Sequence, residues 1–182
     1  MGVESHSMSN SYFSIFNLPV GYNIDKSSLE DLFVKAQQKF HPDKFVTASD
    51  VDRITALNNT IEINHAYQVL KDDLKRAAYL LELAGVVVNE DSRASAKAKP
   101  EVLAEMMELG ERLEEASTED LLLEASGNYK KLKLQALKLF SDAHDVKNIH
   151  EATQQYLRAK FLDRLIDNAR AIIAATGTAD AA

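Results

Sequence analysis

Apolar positions recur along most of this chain at three- and four-residue spacing, the period of a helix with one buried face. Leu29, Leu32, Phe33, Ala36 and Phe40 form one such face, with Asp31, Lys35 and Gln38 opposite and Lys39 at the edge. Residues 24–28 supply N-cap candidates for that helix, and Glu30 and Asp31 are expected in its first turn. The next pattern starts between Thr47 and Asp50 and reaches Leu70. It carries two stripes, Ile54, Leu57 and Ile61 on one and Ile63, Ala66, Tyr67 and Leu70 on the other, which predicts packing on both sides. A segment from Leu74 to Leu83 ends at Gly85, which suits the left-handed position after a helix. Ahead of these, Tyr12 to Leu18 is a short aromatic turn closed by Pro19, too short to stand alone.

From Val86 to Lys99 the periodicity is lost, and the stretch reads as a linker. Pro100 suits the first position of a new helix, with Glu101 at its positive end. In the helix from Glu101 to about Ala116, Val102, Met106, Leu109 and Leu113 share one narrow face, predicted to be core. Leu103 and Met107 project to a flank, with Gly110 beside them and Glu111 further round. Two readings fit that flank: packing on a neighbouring helix, or an exposed apolar patch with an acidic rim that meets a partner. Further helices are predicted over Tyr129–Phe140 and Ile149–Ala175, the first followed by a polar loop at residues 142–145. Leu162, Leu165, Ile166, Ala169 and Ile173 form the last core stripe, with Leu157, Phe161 and Ile172 on its flank. Three helices with short loops make a small bundle, and the tail from Gly177 to Ala182 is expected to fray.

Composition narrows this to an all-α protein. Of 182 residues 46% are hydrophobic and 27% charged, with only six glycines and three prolines to break helices. No apolar run is long enough to cross a bilayer, and none near the start resembles a secretory signal. Cysteine is absent, so the chain itself offers no disulfide or thiolate metal site. Residues 1–7 precede a second methionine, Met8, carry no pattern, and are read as an expression remnant.

A net charge of −7 argues against nucleic acid as a partner. The charge is unevenly spread. Glu101, Glu105, Glu108, Glu111, Glu114, Glu115, Glu119, Asp120 and Glu124 face a single base, Arg112, whereas Tyr129–Phe140 carries Lys130, Lys131, Lys133 and Lys138. Pairing of antiparallel helices of opposite charge is the structural expectation. Catalysis finds no support, since there is no phosphate-cradling glycine loop and no zinc-binding motif. No cofactor or metal is expected. Asp142, His144 and Asp145 are better explained as loop than as ligands, and His65 as a packed or surface residue.

Between the first two long helices stands Lys39-Phe40-His41-Pro42-Asp43-Lys44. Proline expels His41 from the preceding helix and puts Asp43 in the following turn, so an imidazole and a carboxylate share a corner flanked by lysines. Read alone, this is a helix stop with an Asx-type turn, and the lysines are ordinary solvated residues. Between a basic helix and a longer one, it resembles the signature of the J domain. The runs Ile63-Asn64-His65-Ala66-Tyr67-Gln68-Val69-Leu70 and Leu74-Lys75-Arg76-Ala77-Ala78-Tyr79-Leu80-Leu81 are similar to the HscB branch, the co-chaperones of iron–sulfur cluster assembly. Asp72-Asp73 stands where that branch has Asp-Pro, and a carboxylate also suits a helix start.

The resemblance implies a J domain over residues 8–85, a helical hairpin with short flanking helices, and a scaffold-binding helical bundle over 100–176. It implies that His41, Pro42 and Asp43, with Lys35, Lys39 and Lys44, engage a DnaK-type chaperone, HscA, and stimulate its ATPase. It implies that Leu103, Met107, Glu108, Glu111 and Phe161 bind an IscU-type scaffold, although Gly110 replaces an arginine usual in the family. A bacterial cytoplasmic monomer without enzymatic activity or membrane contact is the resulting expectation. A J protein with another client and a non-chaperone helical adaptor are the alternatives.

Overall fold

The computed structural model of the protein describes residues 11–40, 44, 49–88 and 98–179. Among these no strand occurs, and seven helices follow in order: α1 (Tyr12–Ile15), α2 (Lys26–Phe40), α3 (Asp50–Lys71), α4 (Asp73–Leu83), α5 (Pro100–Glu115), α6 (Glu119–Asp145) and α7 (Ile149–Ala179). The chain divides after Leu80, inside α4, into two compact units.

In the first unit, local chemistry sets the helix ends. The Asp25 carboxylate accepts from the Ser27 amide at 3.0 Å and the Ser28 hydroxyl at 2.7 Å, so α2 starts at Lys26. Glu30 and Asp31 therefore fall beyond the first turn, not in it as expected. Ser49 caps α3, accepting from the Asp52 amide at 3.2 Å and donating to the Asp52 carboxylate at 2.7 Å. The helices α2 and α3 run antiparallel, as successive contacts require. Tyr67 donates to Glu30 and stacks on Phe33 with centroids 3.9 Å apart. Gln37 donates to Asn64 at 3.0 Å, and Thr60 to the Phe40 carbonyl at 3.1 Å. Leu29, Ile63, Ala66 and Leu70 are buried.

The second apolar stripe of α3 behaves differently from the expectation. Val51, Ile54, Leu57 and Ile61 are each more than half exposed, on the side turned away from Ile63, Ala66 and Leu70. Periodicity reveals which residues share a face, but not whether another element covers it, and α1 and α2 both pack against α3.

Arg76 ties this unit together. Only 3% exposed, it donates from Nε to the Tyr22 carbonyl at 2.8 Å, from Nη1 to the Leu70 carbonyl at 2.5 Å, and from Nη2 to Asp73 at 2.5 Å. Its guanidinium lies 4.7 Å from the Tyr22 ring centroid. Burial raises the Asp73 carboxyl, but hydrogen bonds from Lys26 and Arg76 outweigh it and hold the group below the usual carboxylate range. Burial, helped by the charge of Asp73, pushes the Tyr22 phenol up to about 12. Asp72 caps α4, accepting from the Leu74 and Lys75 amides at 2.9 and 2.8 Å, which is how the chain manages without the proline. Gly85 (φ 81°) and Val86 then close α4 through amide bonds of 2.9 Å to Glu82 and Leu81.

In the second unit α6 and α7 form the main antiparallel pair, with α5 laid against them. Leu109, Leu113, Leu122, Tyr129, Leu162, Leu165, Ile166 and Ala169 make the core. Val102 and Met106, predicted to be core, are half-buried, and Leu157, predicted on the flank, is buried. Helix α6 is also longer than expected at both ends. It begins after the Thr118 cap and runs through residues 142–145, which form a last helical turn and not a loop. Burial of Leu122 and Tyr129 offsets the weak helix preference around Gly127. Beyond it, Lys147 takes the left-handed conformation at φ 58°, where amides 147 and 148 satisfy the carbonyls of His144 and Ala143. Helix α7 continues to Ala179, past Gly177 where fraying was expected.

The bracing role of Arg76 is testable. Arg76→Met keeps much of the volume but strips two buried carbonyls and a carboxylate of their donor. It is expected to cost about 3 kcal/mol in urea unfolding, well above a surface substitution. A loss within about 0.5 kcal/mol contradicts the account.

Candidate functional site

His41, Pro42 and Asp43 lie outside the described residues, but the ground beside them is described. Phe40 ends α2, and Lys39 holds its ammonium 5.2 Å from that ring. Lys35, Lys39 and Lys44 are exposed, and Lys35 and Lys39 make no ion pair among the described residues. The two α2 lysines stand beside a cavity of about 450 Å³ between α1, α2 and α3, with Phe16, Leu32, Phe40 and Ile63 in its walls. This end of the unit thus combines an apolar hollow with solvated positive charge. His65 takes no part in it, since its Nδ1 lies 3.0 Å from the Tyr12 hydroxyl.

In the second unit, α5 turns Leu109 and Leu113 into the core and leaves Met107 67% exposed. Leu103 is half-buried, and Glu111 is exposed without an ion pair among the described residues. Glu108 pairs with Arg112 one turn on at 2.6 Å. A Cβ at Gly110 would meet nothing within 4 Å, so the helix backbone is open beside these residues. Phe161 of α7 is half-buried against the core that holds Leu109. Arg158, one turn earlier, reaches Glu105 of α5 at 2.5 Å, which sets these turns of the two helices side by side. The result is a flexible thioether beside partly covered apolar groups and a carboxylate rim, a surface suited to a protein partner.

The charge pattern resolves differently from the expectation. No ion pair joins α5 to α6 among the described residues. Of the α5 acids, Glu108 pairs within its own helix and Glu105 with α7, and among the described residues Lys133 is the one α6 lysine that is paired, to Asp163 of α7. Sequence reading missed Arg158 because an interhelical partner leaves no mark at local spacing. No cluster of three metal-ligating side chains exists among the described residues. His144 stacks on Phe140 at 5.9 Å in the last turns of α6.

Truncation separates the two faces of α5. Leu109→Ala is expected to cost about 2–4 kcal/mol of unfolding free energy, whereas Met107→Ala costs under about 0.5 kcal/mol. Equal losses in denaturant melts would place Met107 in the core and contradict the assignment.

A family model described as the HSCB C-terminal oligomerisation domain matches residues 98–170. The co-chaperone protein HscB homolog of Vibrio atlanticus is 36% identical over 160 residues, 85% of this chain and 91% of that protein. The Vibrio cholerae homolog is 46% identical over 103 residues, and in that match the chain spans 59% of the relative's length. The solved structure of chaperone HscB from Vibrio cholerae has a TM-score of 0.76 at 34% identity, covering 90% of this chain and 97% of that one. With an N-terminal J domain and a C-terminal helical bundle, this chain belongs to the HscB co-chaperone family.

Proposed function

We propose that this protein is a two-handed co-chaperone of iron–sulfur cluster assembly. The J domain stimulates the ATPase of a DnaK-type chaperone of the HscA kind, and the bundle delivers an IscU-type scaffold to it. The observation that carries this reading is the match to the Vibrio atlanticus relative over 85% of the chain, through both units. In the J domain, His41, Pro42 and Asp43 engage the chaperone, with Lys35, Lys39 and Lys44 supplying the positive flank. Binding tighter to the hydrolysing conformation than to the resting one biases the ATPase, and no acid–base role on ATP is required of His41. In the bundle, Leu103, Met107, Glu108, Glu111 and Phe161 form the scaffold face, supported by the exposure of Met107 beside a buried Leu109. We place the protein in the bacterial cytoplasm. Among the described residues no helix is long and apolar enough to cross a membrane.

Two substitutions test the two hands separately. His41→Gln is expected to leave helicity unchanged and abolish ATPase stimulation. Leu103→Ala with Met107→Ala is expected to weaken scaffold binding by about tenfold or more in calorimetric titration, while ATPase stimulation without scaffold persists. Unchanged stimulation by the His41 variant removes the J-domain assignment. Unchanged scaffold affinity in the double variant points to a different client.

A further inference from the structure

The cavity of about 450 Å³ between α1, α2 and α3 has a lining of two kinds. Its floor is apolar: Phe16 and Ile63 are buried there, and Leu32, Ala36 and Phe40 are half-buried. Its rim is polar, with Lys35 and Lys39 of α2, Asn17 beyond α1, and Asn59 and Glu62 of α3. None of these five side chains makes a hydrogen bond or ion pair among the described residues. Two ammoniums therefore stand against one carboxylate, in a chain whose net charge is −7.

Helix geometry sets the two kinds in a line. Leu32, Lys35, Ala36 and Lys39 follow at three- and four-residue spacing and share one strip of α2 about 10 Å long. At its end the Lys39 ammonium lies 5.2 Å from the Phe40 ring centroid, drawn to the apolar wall. Lysine stems commonly cover apolar surface, but here two of them border a hollow that the described helices leave open.

Room and charge together select a ligand. An apolar cavity of about 150 Å³ admits a six-carbon ring, so this one holds more than a single side chain of a partner protein would fill. We propose that the cavity binds an acyl-chain carboxylate of about a dozen carbons. The chain lies along Phe16, Leu32, Ala36 and Ile63, and Lys35 and Lys39 hold the carboxylate. Two ammoniums one turn apart give it charge-assisted hydrogen bonds, and the Asn59 amide adds a neutral donor. Glu62, on the facing helix, disfavours a head group of higher negative charge. Because the two lysines also form the positive flank of the proposed chaperone contact, an occupied cavity neutralises that flank. This consequence rests on the co-chaperone reading, whereas the binding site does not.

Calorimetric titration of the full chain with laurate, kept below its micellar range, tests the site with no chaperone present. One laurate is expected to bind per chain. Dodecyltrimethylammonium, with the same tail under a cationic head, is expected to bind at least about tenfold more weakly. Lys35→Glu with Lys39→Glu is expected to lower laurate affinity about tenfold or more with helicity unchanged. Ala36→Trp, which fills the hollow, is expected to abolish binding. No saturable uptake of laurate overturns the proposal, as does equal uptake of the cationic amphiphile or an affinity untouched by the lysine reversal. These comparisons decide the matter even where Ala36→Trp fails to fold. In the ATPase assay, saturating laurate is expected to reduce stimulation by this protein but not the chaperone's basal rate. Stimulation unchanged by laurate overturns the competition, and no stimulation even without laurate contradicts the co-chaperone reading instead.

Discussion

The buried guanidinium of Arg76 is the constraint on which the J domain depends. A cation that is 3% exposed must have its donors satisfied, and here the partners come from three places in the chain: the Tyr22 loop, the end of α3 and the start of α4. The same geometry fixes where α3 stops and α4 begins, a junction that Asp72 completes by capping. With that end fixed, the α2–α3 hairpin closes through Phe33, Tyr67 and the Gln37–Asn64 bond. The lysines of α2 are thereby held on the outside beside the cavity. Arg76 is a positioning residue: its hydrogen bonds go to Tyr22, Leu70 and Asp73 and set the frame that holds the α2 lysines.

The bundle follows a different logic. Its spine is the long α6–α7 pair, and α5 is held against it by a few fixtures: Glu105 to Arg158, Tyr129 to the Leu109 carbonyl at 2.8 Å, and Lys99 to Glu151 at 2.9 Å. A helix buried on one face only leaves its other faces for partners, which is where Met107 and Glu111 stand.

Much of this was legible in the sequence. The α5 wheel put Leu109 and Leu113 on the core face and Met107 off it, while Met107's exposure, left open in the sequence, and the half-burial of Val102 and Met106 depend on how α5 sits on its neighbours. Gly85 and Pro100 marked helix ends through backbone rules that hold regardless of context. What was not legible depended on neighbours. The stripe at Ile54, Leu57 and Ile61 has a helical period, but no local signal says that it stays uncovered. The first turns of α6 carry Gly127, a weak helix former, and are held as helix by the Thr118 cap and the burial of Leu122 and Tyr129. The α6 lysines were expected to answer the acids of α5, yet Lys133 found Asp163 and the others make no ion pair among the described residues. Residues 41–43, which carry the J-domain signature, lie outside the described residues.

The central claim is that one chain couples a chaperone ATPase to a scaffold. Single-turnover ATP hydrolysis by the HscA-type chaperone, with this protein and the scaffold added separately and together, measures that coupling directly. The account predicts that the protein alone stimulates hydrolysis, and that adding scaffold raises the rate above the sum of the separate effects. Stimulation indifferent to the scaffold, or none at all, contradicts it.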